Sequence, residues 1–165
     1  RLLSALGSVY KSAAESPAET RNPIRNWLYK WAIYYYRLSI GFEPEQFDDW
    51  FNLGVIYQET SRARKASVSF CNALLLEPES YESRFNLGLA LIDLGYPDDA
   101  VRQLDRSVQI LMDADRMQKA QALRKQAEYA KRTIESDATA RTSLSARSAS
   151  EFLNHDCLIE SATEK

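Results

Sequence analysis

The sequence has one histidine and two cysteines in 165 residues. A metal site needs three or four converging ligands, and a nucleophile needs a base held beside it. Cys71 and Cys157 are far apart and form neither a disulfide framework nor a paired metal-ligand spacing. The histidine sits in the run His155-Asp156-Cys157, and residues adjacent in sequence rarely converge on one point. No phosphate-binding glycine loop and no zinc signature is present. No catalytic residue, cofactor or metal is therefore expected, and the chain does not read as an enzyme. Glycine and proline are scarce, at five each, which favours helices over a turn-rich sheet protein. No apolar run approaches the roughly 20 residues needed to cross a bilayer. The formal net charge of −2 lacks the basic excess of a nucleic-acid footprint.

What the sequence does have is a statement made twice. Trp50 to Tyr57 reads WFNLGVIY, and Arg84 to Leu91 reads RFNLGLAL, 34 residues further on. At that shift Phe51-Asn52-Leu53-Gly54 falls on Phe85-Asn86-Leu87-Gly88, Ala66 on Ala100 and Phe70 on Leu104. Shifted backward, Ala66 falls on Ala32, Phe70 on Tyr36 and Pro78 on Pro44. Each unit reads as two amphipathic helices, predicted at about 47–59 and 63–76, then at 81–94 and 97–111. Pro78 closes the first pair. Gly95 suits the turn inside the second, and Pro97-Asp98-Asp99 suits a helix start. Gly54 and Gly88 predict close helix approach, with Ala66 and Ala100 as partners and Trp50, Tyr57 and Phe70 filling the adjacent holes.

These residues resemble the tetratricopeptide repeat. Residues 47–80 match its pattern at Trp50, Leu53, Gly54, Tyr57, Ala66, Phe70, Ala73 and Pro78, with Ser61 replacing the turn glycine. Residues 81–114 match at Leu87, Gly88, Gly95 and Ala100, but carry Arg84 for the tryptophan and Leu91 for the tyrosine. The resemblance implies an all-α solenoid of helical hairpins with a concave surface lined by the first helix of each pair.

The flanks are less regular. Residues 1–24 read as an N-terminal helix and linker, and 25–135 as the helical-repeat domain. Within it, 25–46 is a partial repeat whose first helix is missing or disrupted around Pro17 and Pro23. Residues 115–135 form a polar capping helix with a stripe at Met117, Ala120, Leu123, Ala127, Ala130 and Ile134. Residues 136–165 are a Ser/Thr/Ala-rich tail with too little apolar area to order alone. The chain opens on Arg1, and its first stretch has Arg, Lys and Ser with no acid before Glu15. Two readings stand open there: an organelle-targeting segment or its remnant, and an ordinary amphipathic helix.

On the family pattern the concave positions are Asp48, Phe51, Asn52, Val55, Gln58 and Glu59, then Glu82, Phe85, Asn86, Leu89, Ile92 and Asp93. Asn52 and Asn86 are equivalent, and amides that both donate and accept could hold an extended peptide's main chain. Phe51 and Phe85 would give an apolar floor, unless the chain's own terminal segments cover it. Family members that grip a C-terminal carboxylate need lysines near those asparagines; Asp48 and Glu82 make such a clamp a poor fit. In the aromatic segment, Trp27, Trp31, Tyr35 and Tyr36 are expected in the core. Tyr29 and Tyr34 are expected to face a partner. In the tail, Phe152, Leu153, Leu158 and Ile159 are the residues a partner surface would grip.

These features predict a protein–protein interaction scaffold, an accessory structural subunit of a larger assembly, with an organellar membrane complex as one setting. The rival is a transient assembly factor or co-chaperone that holds client peptides in the groove. RNA binding fits poorly with acidic concave positions. The expected compartment is organellar, mitochondrial ahead of chloroplast, with the cytoplasm as alternative.

Overall fold

A computed structural model of the chain describes residues 1–16, 22–114 and 116–140. The described residues form seven helices and no strand: α1 (Leu2–Glu15), α2 (Asn22–Phe42), α3 (Phe47–Glu59), α4 (Ala63–Leu76), α5 (Tyr81–Asp93), α6 (Pro97–Asp113) and α7 (Met117–Ala140). The two predicted hairpins are α3–α4 and α5–α6, with ends within two residues of expectation. Consecutive helices pack pairwise, and α1, α3, α5 and α7 also touch one another in series. That series makes one layer; α2, α4 and α6 make the other.

The hairpins repeat down to single hydrogen bonds. The turn after α3 is closed by Arg62 N–H donating to Tyr57 O at 2.8 Å, and that after α5 by Tyr96 N–H donating to Leu91 O at 2.9 Å. Ser61 and Gly95 occupy equivalent sites there, with φ of 55° and 80°. Glycine reaches that left-handed region freely, whereas serine is strained in it. At the start of α5 the Ser80 hydroxyl caps the helix, accepting from Ser83 N–H at 3.2 Å. Pro97 opens α6, with Asp98 and Asp99 in its first turn.

Arg84 differs from Trp50 in type but not in task. Trp50 Nε1 donates to Pro44 O at 2.8 Å. One repeat later, Arg84 Nη2 donates to Pro78 O at 2.9 Å, and Nε reaches the same oxygen. Both side chains satisfy the carbonyl of the proline that precedes their repeat.

The close approaches fall at the glycines, but against different partners from those expected. A Cβ on Gly54 would lie 2.7 Å from the Phe70 ring, and one on Gly88 would lie 2.8 Å from Leu104 Cγ. Ala66 and Ala100 are buried nearby, and the Ala100 carbonyl lies 3.2 Å from the Gly88 position. The large side chain of the second helix seats directly on the glycine, because only a missing Cβ leaves room for it.

The same contact exists a third time. A Cβ on Gly7 would lie 2.9 Å from Tyr36 Cδ1 and Cε1. Tyr36, Phe70 and Leu104 are 34 residues apart, so α1 is the first helix of the repeat that α2 completes. The expectation that this helix is missing is thereby corrected. Gly7 precedes Tyr36 by 29 residues, whereas 16 separate Gly54 from Phe70, so a fixed shift cannot find it. Ser8 Oγ and Tyr36 Oη share a hydrogen bond at 3.0 Å, and Ser4 Oγ donates to the buried Asp49 at 2.5 Å. These bonds pin α1 to α2 and α3.

One core runs from Ala14 through Tyr36, Ile56 and Phe70 to Leu91 and Ala100. A second joins Leu104 and Val108 to Ala127 and Ala130 of α7. Cys71 is half-buried on α4.

Candidate interaction surfaces

The concave layer carries two clefts. The more apolar one, of about 610 Å³, lies along α5 and α7. Phe85, Leu89 and Ile92 form its floor, and Tyr129 and Ala130 form the facing wall. Gln58, Asp93, Lys125, Gln126 and Thr133 supply its polar edge. Phe85 and Leu89 also pack on the cluster that α7 completes. Helix α7 therefore covers part of the predicted groove and walls what stays open on one side. Tyr129 stands 76% exposed beside it.

The second cleft, of about 620 Å³, has the opposite character. Phe47, Phe51 and Tyr81 line it together with Asp48, Glu77, Glu79 and Glu82, with Arg116 facing them and Glu79 paired with Arg106 at 3.4 Å. Phe47 and Phe51 stack at 5.8 Å, and Phe51 also meets Phe70 at 5.9 Å. Phe51 and Phe85 are equivalent in sequence yet line different clefts, because α7 flanks only the later repeat.

The predicted positions divide as follows. Phe85, Leu89 and Asp93 come together in the apolar cleft, and Phe51 belongs to the acidic one. Asn52, Val55 and Asn86 are half-buried on the first helices. Glu59 is exposed and pairs with Arg25 of α2 at 3.8 Å. Phe152 and Leu158, like His155, lie outside the described residues. The α7 wall was absent from the sequence-based site. Its alanine stripe is legible, but which side of that stripe borders the groove is not.

The aromatic segment reverses the expected roles. Tyr29 is buried, at 3% exposure, under Arg25, with the guanidinium carbon 5.8 Å from the ring centroid. Burial raises its hydroxyl pKa, and Glu59 adds to the rise. Tyr29 is therefore not available to a partner. Trp27 and Trp31 are 53% and 38% exposed rather than core. The reason is rotational: α2 buries Leu28, Tyr29, Ala32 and Tyr36 against its neighbours, and the tryptophans lie on the opposite side. Tyr34 is exposed, as expected, and Tyr36 is buried.

No group of three or more histidine, cysteine or acidic side chains suited to a metal occurs among the described residues. No described helix is long and apolar enough to cross a membrane.

Among solved structures, the chain is similar to the tetratricopeptide domain of Sgt2 from Aspergillus fumigatus, with a TM-score of 0.59 and 19% identity over 87% of each chain. The fold is therefore a tetratricopeptide-type helical solenoid. No family model matches the chain. No curated protein matches it in sequence.

Proposed function

We propose that the protein is an interaction scaffold that holds another protein, as a standing accessory subunit of a larger assembly. The observation that carries this is the apolar cleft along α5 and α7, with Phe85, Leu89 and Ile92 at its base and polar groups only at its edge. An apolar floor with a polar rim is the anatomy of a protein-binding surface. A tetratricopeptide-type fold supports the same reading. An organelle, mitochondrial ahead of chloroplast, is the proposed setting.

The acidic cleft favours a second reading, in which the protein visits basic client segments transiently. Four carboxylates beside two stacked phenylalanines would attract a cationic, aromatic-bearing peptide.

The test is native size fractionation from the protein's own source under gentle extraction, with co-migrating proteins identified. A large stoichiometric assembly is expected, and a Leu89→Asp/Tyr129→Ala variant should be lost from it. A protein that runs free overturns the standing-subunit reading. An assembly that keeps the variant removes the cleft from it.

A further inference from the structure

Among the described residues, α1 and α2 form the first repeat of the stack. One exposed face of its second helix carries rings. Trp27, Trp31 and Tyr34 recur along one face of α2 at i, i+4 and i+7. Trp27 and Trp31 meet edge-on at 6.1 Å, and Trp31 and Tyr34 at 5.8 Å. Tyr10 of α1 joins the row, 6.2 Å from Trp31 and 5.5 Å from Tyr35, in stacked contacts. α1 also exposes Leu2 and Val9.

The charge on α2 has one sign, while α1 brings the ion pair Lys11–Glu15. From Asn22 to Phe42 the charged residues are Arg25, Lys30 and Arg37, with no acid, although the whole chain is net negative. Arg25 is engaged with Glu59. Lys30 and Arg37 are exposed and flank the rings on one edge of the helix.

We propose that this α1–α2 face is a seat for an anionic lipid surface. Tryptophan and tyrosine settle at the headgroup level of a bilayer, where one end of the ring is apolar and the other wet. Lysine and arginine beside them meet lipid phosphates. A second copy of the chain is the weaker occupant, because face-to-face pairing would set the cations of α2 against their own kind. The protein lies on the membrane by this face and leaves both clefts free. The inference is independent of the cleft-based function.

The chain's three tryptophans make the test direct. Trp50 is buried and its indole N–H is held by Pro44 O, so a change in emission on binding reports Trp27 and Trp31. The purified protein is mixed with vesicles of phosphatidylcholine alone and of equimolar phosphatidylcholine and phosphatidylglycerol. Expected are a shift of emission to shorter wavelength and co-sedimentation with the anionic vesicles only, with quenching by brominated lipid. Lys30→Glu/Arg37→Glu should weaken binding roughly tenfold or more, by loss of two surface cations. Trp27→Ser/Trp31→Ser should abolish it while circular dichroism and Trp50 emission stay native. Failure to bind anionic vesicles overturns the proposal; if light scattering then shows a dimer that Trp31→Ser dissolves, the face belongs to a second copy. Binding that ignores lipid charge and survives Lys30→Glu/Arg37→Glu also overturns it.

Discussion

Gly7 of α1 lies under the ring of Tyr36 of α2, at the site that Gly54 and Gly88 occupy beneath Phe70 and Leu104. The contact makes the N-terminal helix a structural member of the repeat stack. In a helix, alanine for glycine normally gains about 1 kcal/mol. Here the added methyl meets ring carbons at 2.9 Å, and overpacking wins. Gly7→Ala is expected to destabilise the protein by about 1–3 kcal/mol, as is Gly54→Ala. Urea denaturation of both variants checks this. A Gly7→Ala protein as stable as the parent would mean that α1 does not belong to the packed unit.

Ser61 holds a left-handed backbone where the next repeat has Gly95. Ser61→Gly removes that strain without touching a core side chain. A gain of about 1 kcal/mol is expected, offset in part by the greater freedom of glycine in the unfolded chain. The reciprocal change, Gly95→Ser, should lose a similar amount. Thermal unfolding of the two variants measures both.

Arg84 and Trp50 each satisfy a proline carbonyl at the mouth of their repeat. Arg84→Met keeps the aliphatic stem and deletes the donors. It should cost about 0.5–1.5 kcal/mol, the range for a typical net hydrogen bond, because the pair is exposed. Arg84→Trp should restore part of that loss, because the indole N–H is the donor that the equivalent site uses. A stability series over the three side chains at this position decides it.

Burial raises the hydroxyl pKa of Tyr29, Tyr36 and Tyr57 above the ordinary value of 10.0. A group whose folded pKa exceeds its unfolded one favours the fold in full below the unfolded value. That contribution is lost as pH rises through the folded value. The protein should therefore lose stability progressively above about pH 10, where free tyrosine begins to ionise. A Tyr57→Phe variant should show a shallower alkaline loss. Denaturant midpoints measured against pH, with phenolate absorbance followed alongside, test the sign.

The reach of the sequence is clearest around the 34-residue shift. Shared spacing located both full hairpins, Tyr36 and the turn sites at Ser61 and Gly95, because packing of like on like demands like residues in register. The shift could not find Gly7, since the spacing from Gly7 to Tyr36 is thirteen residues longer than that from Gly54 to Phe70. It marked Arg84 as a departure, although the guanidinium makes the bond that the indole makes. Helical spacing grouped Trp27, Trp31 and Tyr35 on one face, but a pattern with rings on several sides does not say which side meets the neighbours.

The sequence by itself determined the all-helical class, the repeat length and the seats at Gly54 and Gly88, because these follow from local periodicity and the size of single side chains. Only the tertiary structure decided which surfaces stayed open. The rotation of α2 buried Tyr29 and exposed Trp27 and Trp31. The position of α7 divided an apparently uniform groove into one apolar and one acidic cleft. Both outcomes depend on how whole helices lie against one another, a sum over many contacts that no short stretch of sequence contains.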